Sequence, residues 1–589
     1  DPILWQHLFW LFGHPEVYII FLPSVALIAM IVPTFARRPI VGYNWIVLAA
    51  VGIGFLSFGL WVHHMFTTGL PGITLGLFAT ASKAIALPTG IQIFCFIATL
   101  AAGQVLRSVA MLYAFGSLVI FVLGGLTGVM VAVAPFNFQS HDTFFIVAHL
   151  HYVLIGGALF PILAGCYYYY PLVTGKMLSD KMGKIAFWLA FIGFNMAFLP
   201  MHWTGLRGMP RRVFTYPAGI GFDTLNLVST IGAFILAAGL AVVLWDMIRP
   251  KRSQPYARRN PWDAGTIDWV QEMPGQPWGI RSIPEIDSRY PLWDQPNFMR
   301  DIDEGRFFLP DAEEGRRETI ITSVIDAEPQ QCQRLPSSSF ITMWAALTTG
   351  GFFIFGTFHW WWPALISLAI ALAVIIYWLW TGTALIPEKE TKFVGLGLSL
   401  PLYVSGSHSV GWWAMFITML AILAAFVSLI FGYFFFWTVG RDFPASPLPR
   451  PGLFWLLAGA ALILLSWSCT LLARRWNRFD NVPLFYGGSL IAVAAGIGGA
   501  AALIEAPWVS DLDPKSHVYP AMVWLIVLWT AAQLGVGTIM QLYCIARRCA
   551  GRMTARCDID IHNVALYWHF TAFTAVIAVA VIAGFPLMV

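Results

Sequence analysis

Fourteen apolar stretches, each long enough to cross a bilayer as a helix, divide this chain. A spanning helix needs about 20 predominantly apolar residues. Inside hydrocarbon no water reaches the peptide groups, so only helices and closed barrels can span. Barrel strands need only about 9–11 residues, so stretches of this length point to helices. Seven lie near 8–33, 43–65, 73–102, 108–133, 143–172, 183–204 and 222–247. Seven more lie near 339–357, 360–381, 409–437, 452–473, 484–505, 519–545 and 563–587. The stretch from about 249 to 338 separates the two sets and is rich in Arg, Asp, Pro and Gln. The expected fold is therefore all-α: a polytopic membrane helical bundle of about 14 transmembrane helices, in two bundles joined by a polar cytoplasmic linker. The regions are 1–258, 259–338 and 339–589. Charged residues make up 11% of the chain, against about 25% in soluble domains. The net charge of +4 gives no argument for nucleic acid. The seven cysteines are scattered, and Cys549 and Cys557, in an Arg-rich loop, read as incidental.

Charge placement orients the bundle. Arg37 and Arg38, Arg107, Lys176, Lys181 and Lys184, and Lys251, Arg252, Arg258 and Arg259 follow alternate spans. Lys389 and Lys392, then Arg474, Arg475 and Arg478, then Arg547, Arg548, Arg552 and Arg556 fall on the same side. The positive-inside rule makes that side cytoplasmic, with Asp1 and Val589 outside. An outside start beside a full-length helix, without a signal pattern, leads us to expect a longer polypeptide or one of two split pieces. One basic loop breaks the rule. Arg207, Arg211 and Arg212 fall outside, as do His141 and Asp142.

Six histidines lie in or beside the early spans: His14, His63, His64, His141, His149 and His151. An imidazole in a membrane segment is costly without a partner and marks a functional-site candidate. His14 and Tyr18 stand at i,i+4, on one helix face. His63 and His64 offer two more nitrogens at the end of the next span. His149 and His151, at i,i+2, diverge by about 200° on a helix. They cannot serve one metal, but each can hold a separate haem. Three imidazoles at one centre suit copper, and a single proximal His suits haem iron. Paired arginines on the outer side suit haem propionates, which are carboxylates. His7, His359, His408 and His517 read as interfacial, His202 as interfacial or else as an outer partner of a metal-site group, and His562 and His569 as holding no metal.

Six motifs together resemble subunit I of the haem–copper oxidases over about residues 1–285. They are Gly13-His14-Pro15-Glu16-Val17-Tyr18, His63-His64-Met65-Phe66, Pro88-Thr89-Gly90, His141-Asp142-Thr143, Ala148-His149-Leu150-His151-Tyr152 and Gly208-Met209-Pro210-Arg211-Arg212. The resemblance begins at the family's sixth helix. It implies that His14, His63 and His64 bind the active-site copper. It implies that Tyr18 is the tyrosine the family links to a copper-ligand histidine, and that Glu16 ends a proton path. It implies that His149 binds the oxygen-reducing haem, that His151 is one ligand of the electron-donating haem, and that Arg211 and Arg212 bind propionates. His141 and Asp142 match a site that can hold magnesium. Where the family often carries a lysine in a second proton path, this chain has Gln92. Lys83, expected on the same helix, is a poor replacement.

The resemblance further implies cytochrome c oxidase activity: oxygen reduced to water, coupled to proton translocation, with two a-type haems, copper and magnesium. The implied partners are oxidase subunit II, which carries the copper electron-entry domain, the N-terminal helices of subunit I, cytochrome c and the lipid of a bacterial-type inner membrane. The second half, over about 409–589, resembles subunit III, most closely at Gly432-Tyr433-Phe434-Phe435-Phe436-Trp437 and Leu566-Tyr567-Trp568-His569-Phe570. It is expected to be structural. A quinol oxidase, an inactive fragment and a noncatalytic channel stay open at this point.

Overall fold

The computed structural model describes residues 1–249, 254–275, 282, 284–306, 317–323, 326, 328–335, 339–382, 386–395, 397–440, 443 and 450–588. Lys251 and Arg252 lie outside them. Contacts divide the chain into two compact units, residues 1–308 and 309–589. Among the described residues, twelve helices are long and apolar enough to cross a membrane, and two shorter apolar helices, Tyr43–Ser57 and Ile341–Thr357, complete the set. The chain is an integral, polytopic helical membrane protein with almost no sheet.

The first unit begins with α1 (Pro2–Ala36), α2 (Tyr43–Ser57), α3 (Gly72–Ala84), α4 (Ala86–Ala101) and α5 (Val109–Val131). Then come α6 (Ala134–Ser140), α7 (Phe144–Leu154), α8 (Phe160–Thr174), α9 (Asp180–Leu206) and α10 (Asp223–Ile248). Asp1 caps α1, its Oδ1 accepting from Ile3 N at 2.7 Å and Leu4 N at 3.1 Å. Three expected spans are interrupted, each for a local reason. The 43–65 stretch ends as helix at Ser57 and continues as a short 3-10 turn, Trp61–Met65. Irregular backbone at membrane depth survives only when buried in protein, and Val62 and Met65 are buried in this turn. The 73–102 stretch breaks at Ile85. Pro88 lacks an N–H, and its ring would clash with the Ala84 carbonyl in a continuous helix. Lys83 and Gln92 stand on either side of this one-residue break, within the single apolar span Gly72–Ala101. The 143–172 stretch passes through a π turn, Ile155–Leu159, just before Pro161. Ser117 Oγ on α5 donates to the Gly156 carbonyl in that turn at 2.5 Å.

Helix pairs in lipid gain nothing from burying apolar surface against an already apolar solvent, so close backbone approach through small residues carries their association. The α9–α10 pair is built this way. A Cβ on Gly193 would lie 2.3 Å from Leu236 N, and one on Gly232 would lie 2.3 Å from Ala197 N. The polar stretch contributes α11 (Pro291–Asp294) and α12 (Phe298–Asp303) to this unit. Trp269, fully buried, donates from Nε1 to Tyr168 Oη at 2.9 Å, and Trp262 donates to the Tyr168 carbonyl at 2.8 Å. These contacts hold part of the polar stretch against α8 at Tyr168.

The second unit opens with an antiparallel hairpin, β1 (Arg317–Thr322) and β2 (Pro329–Leu335), in which Ile320 faces Cys332. The helical hairpin α13 (Ile341–Thr357) and α14 (Trp361–Gly382) follows, then a second strand pair, β3 (Thr391–Gly395) and β4 (Leu398–Pro401). The bundle proper is α15 (Val410–Val439), α16 (Leu453–Arg478), α17 (Val482–Val509), α18 (Val518–Cys549) and α19 (Ile559–Val579). A π turn, Ala580–Gly584, leads to the short terminal α20 (Phe585–Met588). Its core holds Phe426, Tyr433, Ile526 and Trp568.

Candidate metal centre

The 3-10 turn after α2 packs on α1 and brings His63 and His64 to His14. One ligand nitrogen from each lies within 4.8 Å of the others, and this is the one such cluster of histidine, cysteine or carboxylate groups among the described residues. Ring centroids are 4.5 Å apart for His14 and His63, 5.3 Å for His14 and His64, and 4.2 Å for His63 and His64. His14 Nδ1 faces His64 Nε2 at 3.1 Å. Two imidazole lone pairs at that distance repel unless a proton or a cation lies between them. His14 Nε2 is buried without a hydrogen-bond partner. A buried polar nitrogen without a partner is costly, so this donor set fits a metal such as copper.

Neighbours hold these rings in place. Ser82 Oγ on α3 donates to the Phe78 carbonyl at 2.6 Å and so accepts from His63 Nδ1 at 2.9 Å. That fixes the proton on Nδ1 and leaves His63 Nε2 with its lone pair. Trp10 stacks on His64, with centroids 3.8 Å apart and planes 9° from parallel. Tyr18, half-buried, meets His14 edge-on at 4.8 Å. Trp10 and Ser82 were not foreseen. Both act from elements remote in sequence, and neither carries a periodic signal.

His149 and His151 leave α7 on different sides. His149 turns to α5, its Nδ1 lying 3.1 Å from the Gly124 carbonyl and 3.0 Å from Thr127 Oγ1. A Cβ on Gly128 would lie 3.0 Å from His149 Cε1, so the bare helix surface there gives the ring its space. His151 turns to α9 and stacks on Phe198 at 4.1 Å, its Nδ1 bonded to the Val147 carbonyl at 2.7 Å. In both rings Nδ1–H donates and Nε2 keeps a lone pair, which fits an iron ligand. His202, expected at an interface, is instead buried, its ring edge-on to Phe145 and Tyr152 and its Nε2 without a partner.

The start of α7 is locked to the basic outer loop. Phe144 N donates to the Met209 carbonyl at 3.0 Å, and Arg211 N donates to the Asp142 carbonyl at 2.9 Å. Arg211 Nε also donates to Asp142 Oδ1 at 2.6 Å. His141 Nε2 lies 3.7 Å from Asp142 Oδ2. Burial holds the His141 imidazole below its usual value; Asp142 opposes this and Arg211 adds to it. Arg212 is exposed, in a left-handed conformation with φ 65°. Glu16 lies on an exposed face of α1 and is not gathered with the three histidines. Gln92 is buried, with Nε2 3.4 Å from the Ile46 carbonyl and Oε1 without a partner.

Residues 1–235 match the family described as Cytochrome C and Quinol oxidase polypeptide I. The chain is 48% identical over 294 residues to cytochrome c oxidase subunit 1 of Bacillus subtilis, covering 50% of this chain and 47% of that protein. It is 40% identical over 342 residues to cytochrome c oxidase subunit 1 of Bacillus sp. PS3, covering 58% and 52%. The corresponding protein of Synechocystis is 45% identical over 278 residues, covering 46% and 49%. The chain thus spans about half the length of these curated relatives. With bacterial relatives and twelve apolar helices, it is an integral protein of a bacterial-type inner membrane.

Proposed function

We propose, from the match of residues 1–235 to the family described as Cytochrome C and Quinol oxidase polypeptide I and the 48% identity to a cytochrome c oxidase subunit 1, that this chain supplies the catalytic centre of a terminal respiratory oxidase that reduces O2 to water with electrons from cytochrome c and translocates protons. The observation that carries this reading is the convergence of His14, His63 and His64, with His14 Nε2 buried and unpartnered. These three would hold copper. His149 would hold the oxygen-reducing haem, and His151, backed by Phe198, one side of an electron-donating haem; both would be a-type haems. When bound, iron and copper supply the oxygen binding and electron transfer.

The chain's own groups would do the rest. Tyr18, edge-on to His14, offers a phenolic proton and electron beside the copper site. Arg211 and Arg212 would face the haem propionates, and His141 with Asp142 would hold magnesium. Glu16 would relay protons. A carboxylate on an exposed face of a membrane helix is costly unless protein covers it, which supports reading that face as the seat of the N-terminal helices of subunit I. Oxidase subunit II would deliver electrons. Residues 1–258 would form the catalytic bundle, 259–338 an extramembrane segment, and 339–589 a subunit III-like bundle whose buried aromatic core suits a structural role.

Oxygen uptake by the purified complex tests this. Uptake is expected with reduced cytochrome c as donor. Uptake with a quinol alone would replace the donor, and no uptake with either would overturn the enzymatic reading.

A further inference from the structure

Three donors converge on one acceptor beside His149. The Gly124 carbonyl accepts from Thr127 Oγ1 at 2.9 Å and lies 3.1 Å from His149 Nδ1. Within α5 the same carbonyl is the i−4 acceptor of the Gly128 N–H. A carbonyl oxygen has two lone pairs, so all three donors cannot be served well at once. Thr127 Oγ1 itself lies 3.0 Å from His149 Nδ1. A hydroxyl can accept one hydrogen bond while donating another.

We propose that Thr127 is a positioning residue for His149: the imidazole Nδ1–H donates to Thr127 Oγ1, and the Thr127 hydroxyl donates onward to the Gly124 carbonyl. In this arrangement every donor has an acceptor, and the carbonyl serves only Gly128 and Thr127. Two bonds in series polarise one another. The relay therefore fixes both the tautomer and the basicity of Nε2, the nitrogen left to face an iron. Neither flanking glycine could share the task. A Cβ at Gly124 would lie 2.9 Å from the Tyr152 and Val153 backbone, and one at Gly128 would press on the His149 ring. Thr127 is thus the side chain on this face of α5 that can reach Nδ1 without displacing α7. The usual place of a helical threonine hydroxyl, bonded back to its own helix, hides this role in the sequence.

The inference rests on the reading of His149 as a haem ligand. Its test is the iron–histidine stretching band in the resonance Raman spectrum of the reduced, assembled complex. Thr127→Val keeps the shape and removes the hydroxyl, so the band is expected to move. Thr127→Ser keeps the hydroxyl and is expected to leave the band in place. A band unmoved by Thr127→Val overturns the relay, with the carbonyl then serving alone. If Thr127→Val loses the haem while Thr127→Ser keeps haem and band, the hydroxyl requirement stands. Loss of haem in both variants overturns it in favour of packing. Absence of any such band in the unsubstituted complex removes the haem reading of His149, and the relay with it.

Discussion

His63 can present only one nitrogen to a metal, because Ser82 occupies the other at 2.9 Å. Removing such an outer partner costs about 10–100-fold in metal affinity or activity. Ser82→Ala is therefore expected to weaken copper retention by about that factor while leaving haem content unchanged, as read by metal analysis after dialysis against a chelator. On the outer side, the guanidinium of Arg211 is bound to Asp142 at 2.6 Å and its backbone N to the Asp142 carbonyl. The propionate and magnesium assignments thus share one ion pair. Arg211→Lys keeps a charge but loses the fork geometry.

At the scale of elements, small residues set the helix spacing. Leucine at Gly232 would drive atoms into the Ala197 backbone, where even a Cβ comes within 2.3 Å. Overpacking of this kind costs about 1–3 kcal/mol, so Gly232→Leu should lower the melting temperature of the detergent-solubilised complex. In the second unit, burial pushes the Asp558 carboxyl up, but the Ser405 hydroxyl, which donates to it, and the neighbouring His562 imidazole and Arg474 guanidinium outweigh this and hold the carboxyl below its ordinary value of 3.8. A depressed carboxylate contributes stability that is present above its unfolded value and lost as pH falls through the folded one. The thermal stability of this unit should thus fall as pH drops below about 4, and Asp558→Asn should flatten that dependence. Much of this level is legible in the chain. Pro88 and Pro161 mark the breaks in two spans, and the divergence of His149 from His151 follows from helix geometry. What stays hidden depends on contacts between remote segments: Ser82 against His63, Trp10 on His64, Thr127 against His149, and the burial of Trp269 within a stretch that reads as a polar linker.

At the scale of the whole molecule, the proposed metal-binding groups among the described residues belong to the first unit, and the second adds a helical bundle with an aromatic core. The span count and the one histidine cluster among the described residues are each general; their combination with two diverging histidines on α7 is what argues for a centre of copper and two haems. The most direct test is the haem and copper content of the purified native complex containing this chain. Two haems, with one copper beyond any held by subunit II, are the predicted result. A complex that carries neither haem nor that copper would contradict the account and leave the histidine cluster without the role assigned to it.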